Sequence, residues 1–219
     1  GTVRLWDLDA MKEIRIVRHV ERATLSCVAF SNDDRWLASG GSDHRVSLNE
    51  VESGRLLCVG EHHDSVQSVT FSPEYRRLAS SDRGGSVRIW TLPEQPPENV
   101  TELKADKTFS AHDGRAYCLR FSPDGRHLAS AGTDGAVKWW APAPSSLWQS
   151  VSGKGAYSRC IEFTDDGKFL ITCIGEGIYL CDLETLQTTD SWADEPQRFY
   201  WISASSTNRL CAVEDSHTD

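Results

Sequence analysis

The clearest repeat unit in the chain spans residues 111–140, which read AHDGRAYCLRFSPDGRHLASAGTDGAVKWW. Within them the phrase FSPDGRHLAS begins at Phe121, and weaker copies occur as FSNDDRWLAS from Phe30, FSPEYRRLAS from Phe71 and FTDDGKFLIT from Phe163. The leading phenylalanines lie 41, 50 and 42 residues apart. A period of about 40 to 45 residues is typical of repeats built from four short strands, whereas ankyrin and tetratricopeptide repeats are helical and shorter. The sequence therefore predicts a repeating all-β protein.

A second element recurs after each copy and once more at the start of the chain. It is seen as GTVRLWDL from Gly1, HRVSLNEV from His44, SVRIWTL from Ser86, AVKWWAP from Ala136 and GIYLCDL from Gly177. Apolar and polar residues alternate in it, as they do in a strand that buries one face. Each repeat is thus expected to contain this strand in addition to those of the first phrase.

The third copy shows how one repeat is built. Strand a is predicted over residues 116–122, strand b over 127–131, strand c over 136–141 and strand d over 147–151. The turn Pro123-Asp124-Gly125 joins strands a and b, because proline fixes its own φ and glycine accepts a positive φ. Thr133-Asp134-Gly135 supplies the Asp-Gly hairpin turn between strands b and c. Four antiparallel strands form a blade with two apolar faces, so each blade must stack on its neighbours.

These residues resemble a known family of repeats. GTVRLWD from Gly1 and the run 111–140 are similar to the consensus of the WD-repeat family, and the resemblance covers nearly the whole chain. It implies an all-β, WD40-type β-propeller with four full four-stranded blades and a half-blade at each end. The N-terminal half-blade supplies outer strands and the C-terminal one supplies inner strands. Two arrangements stay open: a partial propeller, or a closed five-bladed ring.

The predicted organisation is a single WD-repeat propeller over residues 1–213 and a polar tail over 214–219. Its parts are a half-blade (1–20), the first blade (21–61), the second blade (62–111), the third blade (112–153), the fourth blade (154–193) and a second half-blade (194–213). The second blade carries an insertion over 93–106 that is rich in proline and acidic residues. This composition favours a solvated spacer over a docking segment. Because Gly1 already lies in a strand-like run, we expect the chain to be a piece of a longer polypeptide.

The resemblance also implies a buried polar network in each complete blade. In the family it joins a histidine before strand a, a serine or threonine on strand b, an aspartate in the b–c turn and a tryptophan on strand c. The third blade has all four, at His112, Ser130, Asp134 and Trp140. Since unpaired buried polar groups cost about 1–3 kcal/mol each, we expect these residues to be structural and not catalytic.

The other blades depart from this pattern. The second blade has a partial set, His62, Ser80 and Trp90. Gly84 stands at its aspartate position, and Asp82 can substitute only if the turn bends differently. The first blade offers Glu21, Ser39, Asp43 and Asn49, and the fourth offers Lys154, Thr172 and Cys181. Both of these networks are expected to be broken.

Composition limits the possible partners. Acidic residues exceed basic ones by 32 to 23, which gives a formal charge of −9, and no basic patch is concentrated anywhere. Nucleic acid and anionic membranes are therefore not expected as partners. No apolar run approaches the roughly 20 residues needed to cross a bilayer. The seven cysteines include no CxxC pair, so we expect buried free thiols and an intracellular, cytoplasmic protein.

The family resemblance implies that a partner binds the loop surface formed by the d–a connections and the b–c turns, which we call the upper face. Matching positions flank strand a or precede the turn aspartate. The expected partner-binding residues are Arg115, Tyr117, Tyr157, Arg159, Ser65, Gln67, Ser42, Arg83 and Thr133. Arginine and tyrosine are enriched in binding hot spots, which places the first four ahead of the others.

The leading functional hypothesis is a non-catalytic scaffold that binds a protein or peptide, within a larger polypeptide or complex. No nucleophile elbow, P-loop or HExxH motif is present, and no cofactor or metal site is expected. One alternative is the C-terminal regulatory or sensor region of a multidomain kinase or NTPase. Another is a propeller hydrolase. It is disfavoured because the strand a starts offer Thr24, Val66, Ala116 and Ser158, and none of these is a carboxylate or histidine.

Overall fold

A computed structural model describes residues 1–20, 22–74, 76–141, 146–152, 157–174, 177–185, 187–188, 199–204 and 210–214. Within these ranges every regular element is a β-strand. The chain divides into two compact units, Gly1–Phe109 and Ser110–Asp219. No helix in the described part of the chain is long and apolar enough to cross a membrane.

The first unit contains two antiparallel blades and a separate pair of strands. The pair is β1 (Thr2–Asp7) with β2 (Lys12–Arg18). The first blade consists of β3 (Leu25–Phe30), β4 (Trp36–Gly41), β5 (Arg45–Glu50) and β6 (Leu56–Glu61). The second blade consists of β7 (Val66–Phe71), β8 (Arg77–Asp82), β9 (Ser86–Thr91) and, after the short β10 (Thr101–Glu102), β11 (Ala105–Ser110). The four strands of each blade are neighbours in chain order and serve as strands a to d.

The two blades of the first unit share one apolar core. Leu48 and Leu57 from the first blade and Val66, Leu78 and Trp90 from the second belong to a single buried cluster. Each is almost completely removed from solvent. Burial of a large apolar side chain contributes about 1.5–3 kcal/mol, so this shared cluster is what stacks the blades. It fulfils the requirement that a blade cover its faces with a neighbour.

The insertion after β9 is largely exposed, as expected of a solvated spacer over 93–106, but its end is bound to the first blade, which was not expected. Its strand β10 pairs in parallel with β6 of the first blade, and Leu103 N donates to Val59 O at 2.8 Å. The Leu103 side chain joins the shared core with only 4% of its surface exposed. Arg55 Nη1 also donates to the carbonyls of Pro97 and Glu98. The insertion is thus held on the first blade by the burial of Leu103 and by pairing with the free edge of β6, although its composition is rich in proline.

The second unit contains the third blade, the fourth blade and a two-stranded pair. The third blade consists of β12 (Ala116–Phe121), β13 (Leu128–Gly132), β14 (Ala136–Ala141) and β15 (Ser146–Ser152). The fourth blade has β16 (Ser158–Phe163), β17 (Phe169–Ile174) and β18 (Gly177–Asp182). The pair is β19 (Phe199–Ala204) with β20 (Leu210–Glu214). Cys118, Trp139 and Ile161 lie in a core shared by the third and fourth blades.

The all-β blades of the WD40 type that the sequence predicted are confirmed. The blade boundaries, the closure of the ring and the role of the tail remain predictions. In the fourth blade an isolated antiparallel bridge joins Cys181 to Thr188, and residues 189–198 lie outside the described residues. The two-stranded pairs at 2–18 and 199–214 match the strands that were expected of the half-blades.

Candidate functional site

The upper-face positions are brought together within each complete blade by the same backbone hydrogen bond. The residue that opens the b–c turn donates its amide to the residue just before strand a. Ser42 N bonds Thr24 O at 3.0 Å, Arg83 N bonds Ser65 O at 2.9 Å, and Thr133 N bonds Arg115 O at 2.9 Å. The turn and the start of strand a therefore form one surface in all three blades.

A β-bulge lies in strand a of each blade, at the second or third residue. The pairing passes from Val66 to Ser68 and from Ala116 to Cys118, so Gln67 and Tyr117 are the extra residues. In β16 the register shifts between Ser158 and Ile161, around Arg159. Bulges re-aim a side chain and commonly occur beside binding sites. Gln67, Tyr117 and Arg159 lie near the upper end of their blades because each is the second residue of its strand a.

The strongest grouping of candidates lies in the second unit. Tyr117 is contacted by two arginines, with the Arg115 Cζ 5.9 Å and the Arg159 Cζ 5.4 Å from the centre of its ring. Arg115 Nη1 also donates to Tyr117 Oη at 3.3 Å. Tyr157 stands near in sequence with 58% of its surface exposed. We call Arg115, Tyr117 and Arg159 the arginine–tyrosine cluster. It joins the third and fourth blades.

The candidates of the first unit make no such cluster among its described residues. Gln67 Nε2 turns back to Ser65 O at 3.3 Å, and Ser42 Oγ accepts the amide of Thr24 at 3.0 Å. Arg83 is exposed in the b–c turn of the second blade. Ser26 is a position that sequence reasoning missed. It is the bulge residue of β3, between Leu25 and Cys27, and its place in strand a matches that of Gln67.

Beneath the upper face of the third blade lies a continuous hydrogen-bonded network. Trp140 Nε1 donates to Ser130 Oγ at 2.9 Å, and Ser130 Oγ lies 2.8 Å from His112 Nε2. His112 Nδ1 lies 2.8 Å from Asp134 Oδ1. With neutral His112, the protons run in one direction: Ser130 donates to Nε2, and the Nδ1–H donates to Asp134. Lys138 Nζ adds a bond to Asp134 Oδ2 at 3.1 Å.

The second blade has a complete network as well, because Asp82 replaces the aspartate that Gly84 cannot provide. Asp82 Oδ2 lies 2.9 Å from His62 Nδ1, and Ser80 Oγ lies 2.6 Å from His62 Nε2. Trp90 Nε1 donates to Ser80 Oγ at 2.7 Å. Asp82 is the last residue of β8 and also accepts the amide of Ser86 through Oδ1. The b–c turn of the second blade therefore bends in the way that lets Asp82 substitute for the missing aspartate.

The first blade keeps three of the four groups, supplied by a histidine that the sequence reasoning overlooked. His19 Nδ1 lies 2.8 Å from Ser39 Oγ, and its Nε2 lies 3.0 Å from Asp43 Oδ2. The expectation of a broken network with Glu21 at this position is wrong; Glu21 itself lies outside the described residues. His19 precedes Ser39 by 20 residues, whereas the corresponding spacing is 18 in the second and third blades. A fixed spacing therefore misses it.

In the fourth blade the strand b hydroxyl bonds within its own sheet. Thr172 Oγ1 lies 3.0 Å from Ser158 Oγ and 3.1 Å from Cys160 O. Lys154, Gly175 and Glu176 lie outside the described residues. Cys181 is buried on strand c, opposite Leu170, where the third blade has Trp140 opposite Leu128. Burial raises the pKa of the Cys181 thiol to about 11, which keeps it protonated.

The network histidines favour their neutral form. Burial lowers the pKa of His19, His62 and His112, and the neighbouring aspartates offset this only in part. For Asp82 and Asp134, burial is the largest single influence and acts upward, but the hydrogen bonds they accept outweigh it and hold each carboxyl pKa below its usual value. Across the described residues no group of three or more His, Cys, Asp or Glu side chains could hold a metal ion.

Comparison with known proteins agrees with this architecture. The family described as "WD domain, G-beta repeat" matches residues 12–48, 54–91 and 104–141, together more than half of the chain. The human DDB1- and CUL4-associated factor 5 is 32% identical over 99 residues, which are 43% of this chain and 10% of that protein. The Drosophila melanogaster small ribosomal subunit protein RACK1 is 32% identical over 113 residues, 48% of this chain and 35% of its own length.

A third relative is subunit 5 of transcription initiation factor TFIID from Caenorhabditis elegans, 30% identical over 119 residues, 52% of this chain and 18% of that protein. The alignments thus span between about a tenth and about a third of the length of these three relatives. Each family match begins at a strand d and ends at a strand c, in the order of strands that the blades show. The chain belongs to the WD-repeat family.

Proposed function

We propose that this chain is a non-catalytic interaction module that binds an acidic segment of a protein partner on the upper face of its second unit. The observation that carries the proposal is the arginine–tyrosine cluster. Two guanidinium groups lie against one phenol ring. The Tyr117 ring and the Arg159 side chain come from the bulged parts of β12 and β16. Cation–π contacts of about 0.5–1 kcal/mol hold the side chains in place, so less conformational entropy is lost when a partner binds.

The charge of this cluster favours an acidic segment. The whole chain carries −9, whereas Arg115 and Arg159 concentrate positive charge on one ring. Guanidinium groups form paired hydrogen bonds with carboxylates, and arginine and tyrosine are enriched in hot spots. A carboxylate-bearing partner segment would thus be attracted to this site and repelled from most of the remaining surface.

The relatives support a protein partner. Their names place one with DDB1 and CUL4, one in the small ribosomal subunit and one in TFIID, which are all multi-component assemblies. By analogy, we propose that this chain works inside a cell, in the cytoplasm, as part of a larger polypeptide or complex. Its partner would be a protein, with neither nucleic acid nor membrane as the bound surface. Ser65, Gln67, Ser42, Arg83 and Thr133 are proposed as supporting contacts on their own blades.

The proposal can be tested by affinity capture with the immobilised 219-residue chain and quantitative mass spectrometry of the captured proteins. The variant combines Arg115→Ala, Tyr117→Ala and Arg159→Ala, and we expect capture of the specific partners to fall by about tenfold or more. Arg126→Ala is the matched control, because Arg126 is an exposed arginine in the a–b turn at the opposite end of the same blade. Capture by this control should be unchanged.

Two readouts sharpen the result. Raising the salt concentration should weaken capture by the unmodified chain more than capture by the triple variant, since exposed charges are screened. The far-ultraviolet circular dichroism of both variants should match that of the unmodified chain. Equal capture by the triple variant and the unmodified chain would overturn the assignment to this cluster.

A further inference from the structure

Two cysteines lie on neighbouring strands of the fourth blade. Cys160 is the third residue of β16, and Cys173 is the residue before the last in β17. The two strands are antiparallel, and the pairing on either side of the bulge in β16 uses Ile174 and Thr172 of β17. Cys173 stands between these two residues in the sequence. It is therefore the residue of β17 that the bulged part of β16 faces.

The other three blades show which residue of strand a meets this position. At the place of Cys160 they have Cys27, Ser68 and Cys118, and these pair with Gly40, Ser81 and Ala131, respectively. The approach is close, since a Cβ on Gly40 would lie 3.2 Å from Cys27 Sγ. The Cβ atoms of a disulfide lie about 3.5–4.5 Å apart. A second cysteine at this position is thus near enough to form one with little movement of the backbone.

In the fourth blade the two thiols are already in contact. The Cys173 thiol donates a hydrogen bond to the Cys160 sulfur, which also accepts from the amides of Cys173 and Ile202. Both cysteines belong to one buried cluster with Ile171, Ile178 and Ile202. Cys160 exposes 4% of its surface and Cys173 exposes 1%. The contact is made by the blade itself and needs no ligand.

The surroundings give the two sulfurs different roles. The hydrogen bonds from the Cys173 thiol and from the two amides, together with the charge of Arg120, hold the pKa of Cys160 below its ordinary value, although burial opposes them. The same contact with Cys160, together with burial, raises the pKa of Cys173. The thiolate and not the thiol is the nucleophile. Cys160 is therefore the sulfur that reacts first, and Cys173 is the one that follows.

We infer that Cys160 and Cys173 are a peroxide-sensitive pair that forms a disulfide within the fourth blade. The Cys160 thiolate attacks one oxygen of hydrogen peroxide, so that an S–O bond forms, the O–O bond breaks and hydroxide leaves with the proton that Cys160 released. The Cys173 sulfur then attacks the Cys160 sulfur, the S–S bond forms, and the S–O oxygen leaves as water with the proton of Cys173. Two thiols are oxidised and one peroxide is reduced to two waters.

Peroxide reaches Cys160 through a local opening of the strand end. Among the described strands β16 pairs on one side only, with β17, so it is an edge strand of its sheet. The bulge interrupts the ladder between Ser158 and Ile161, which is where Cys160 lies. Segments with few ladder hydrogen bonds open at low free energy. Hydrogen peroxide is little larger than water, and reburial leaves the sulfenic acid to Cys173 before a second peroxide oxidises it further.

The disulfide would act beside the arginine–tyrosine cluster, since Cys160 directly follows Arg159. It would tie the bulged end of β16 to β17. In a cytoplasmic protein such a bond is transient and senses the redox state. The chemistry needs no bound partner, so this inference does not rest on the proposed function, and either can fail without the other.

The test exposes the folded 219-residue chain to a small molar excess of hydrogen peroxide and then unfolds it in the presence of iodoacetamide. Mass spectrometry of the digested chain locates the disulfides. We expect one linked pair of peptides, containing Cys160 and Cys173, with the mass of two hydrogen atoms lost. Cys27 and Cys118 are internal controls, because they hold the same strand position opposite Gly40 and Ala131 and should stay alkylated thiols.

Three variants separate the roles of the sulfurs. Cys173→Ser should abolish the disulfide and leave Cys160 as a sulfenic acid, which dimedone captures. Cys160→Ser should abolish the disulfide and leave Cys173 unlabelled by dimedone, because its thiol stays protonated. Cys118→Ser is the matched control, taken from the same place in the third blade, and should form the disulfide to the same extent as the unmodified chain. The circular dichroism of each variant should match that of the unmodified chain.

The inference would be overturned by the absence of this disulfide from the peroxide-treated folded chain, a result that depends on no variant. It would also be overturned if the folded chain gave the same mixture of disulfides as the chain unfolded in urea before treatment, because the fold would then not select the pair. Equal labelling of Cys173 in Cys160→Ser and of Cys160 in Cys173→Ser would contradict the assignment of Cys160 as the sulfur that reacts first.

Discussion

The second and third blades bury the same histidine, serine and tryptophan but take their aspartate from different points of the chain. The third blade has SAGTDG over 130–135 and uses Asp134, which lies in the b–c turn. The second has SSDRGG over 80–85 and uses Asp82, which ends strand b. Asp82 and Gly132 hold equivalent places, since each pairs with the first residue of its strand a.

The network therefore depends on where the carboxylate lies in space relative to the histidine, and not on its distance along the sequence. In the third blade the strand b position must be glycine, because a Cβ on Gly132 would lie 2.5 Å from Cγ and Nδ1 of His112. In the second blade the side chain at that position is itself the partner of His62. The turn is then released from supplying the aspartate, and Gly84 is tolerated there.

The largest effect should come from Gly132→Ala. The new methyl group would overlap the His112 ring, which packing and two hydrogen bonds hold in place, so we expect a loss of about 3 kcal/mol in the free energy of unfolding. Gly84→Ala is the matched control, since its nearest neighbour would be Asp82 Oδ1 at 3.4 Å, and it should change stability by less than about 0.5 kcal/mol. Urea unfolding measures both. Equal losses would contradict the close approach at Gly132.

A smaller effect is expected from moving the aspartate within the second blade. Asp82→Gly should cost about 2 kcal/mol, because His62 loses its partner while buried. Adding Gly84→Asp gives the second blade the arrangement of the third and should restore about half of the loss. A double-mutant cycle with both single variants isolates this coupling. If the double variant is no more stable than Asp82→Gly, the two positions are not interchangeable.

The smallest effect is the pH dependence. His19, His62 and His112 have lowered pKa values in the folded chain, so the unfolded chain binds more protons and stability falls as the pH drops. At pH 6.5, near the ordinary pKa, each histidine should contribute a loss of at most about 0.4 kcal/mol relative to pH 8, or at most about 1 kcal/mol for the three. Unfolding at the two pH values measures it. His112→Gln should make the difference smaller, and equal stability of the unmodified chain at both pH values would contradict the neutral assignment.

The repeat and the alternating strands were sufficient to predict the blades, because both follow from local sequence. The complete polar networks could not be predicted, because they depend on side chains that meet across loops of variable length. His19 lies two residues further from its serine than His62 and His112 do from theirs, so a fixed spacing pointed to Glu21. Asp82 reaches His62 only because of where strand b ends.

The candidate site was predicted only as separate positions. Tyr117 and Arg159 were each nominated on their own strand, whereas their contact depends on bulges and on two blades packing together.

The parallel strand β10 has a mechanical consequence for the first unit. Stacked repeats joined only by packing can come apart one at a time. Here a segment that starts and ends in the second blade is hydrogen-bonded to the outermost strand of the first and buries Leu103 between them. A force that separates the two blades must therefore first break the hydrogen bonds between β10 and β6 and expose Leu103. The two blades therefore resist pulling as one body.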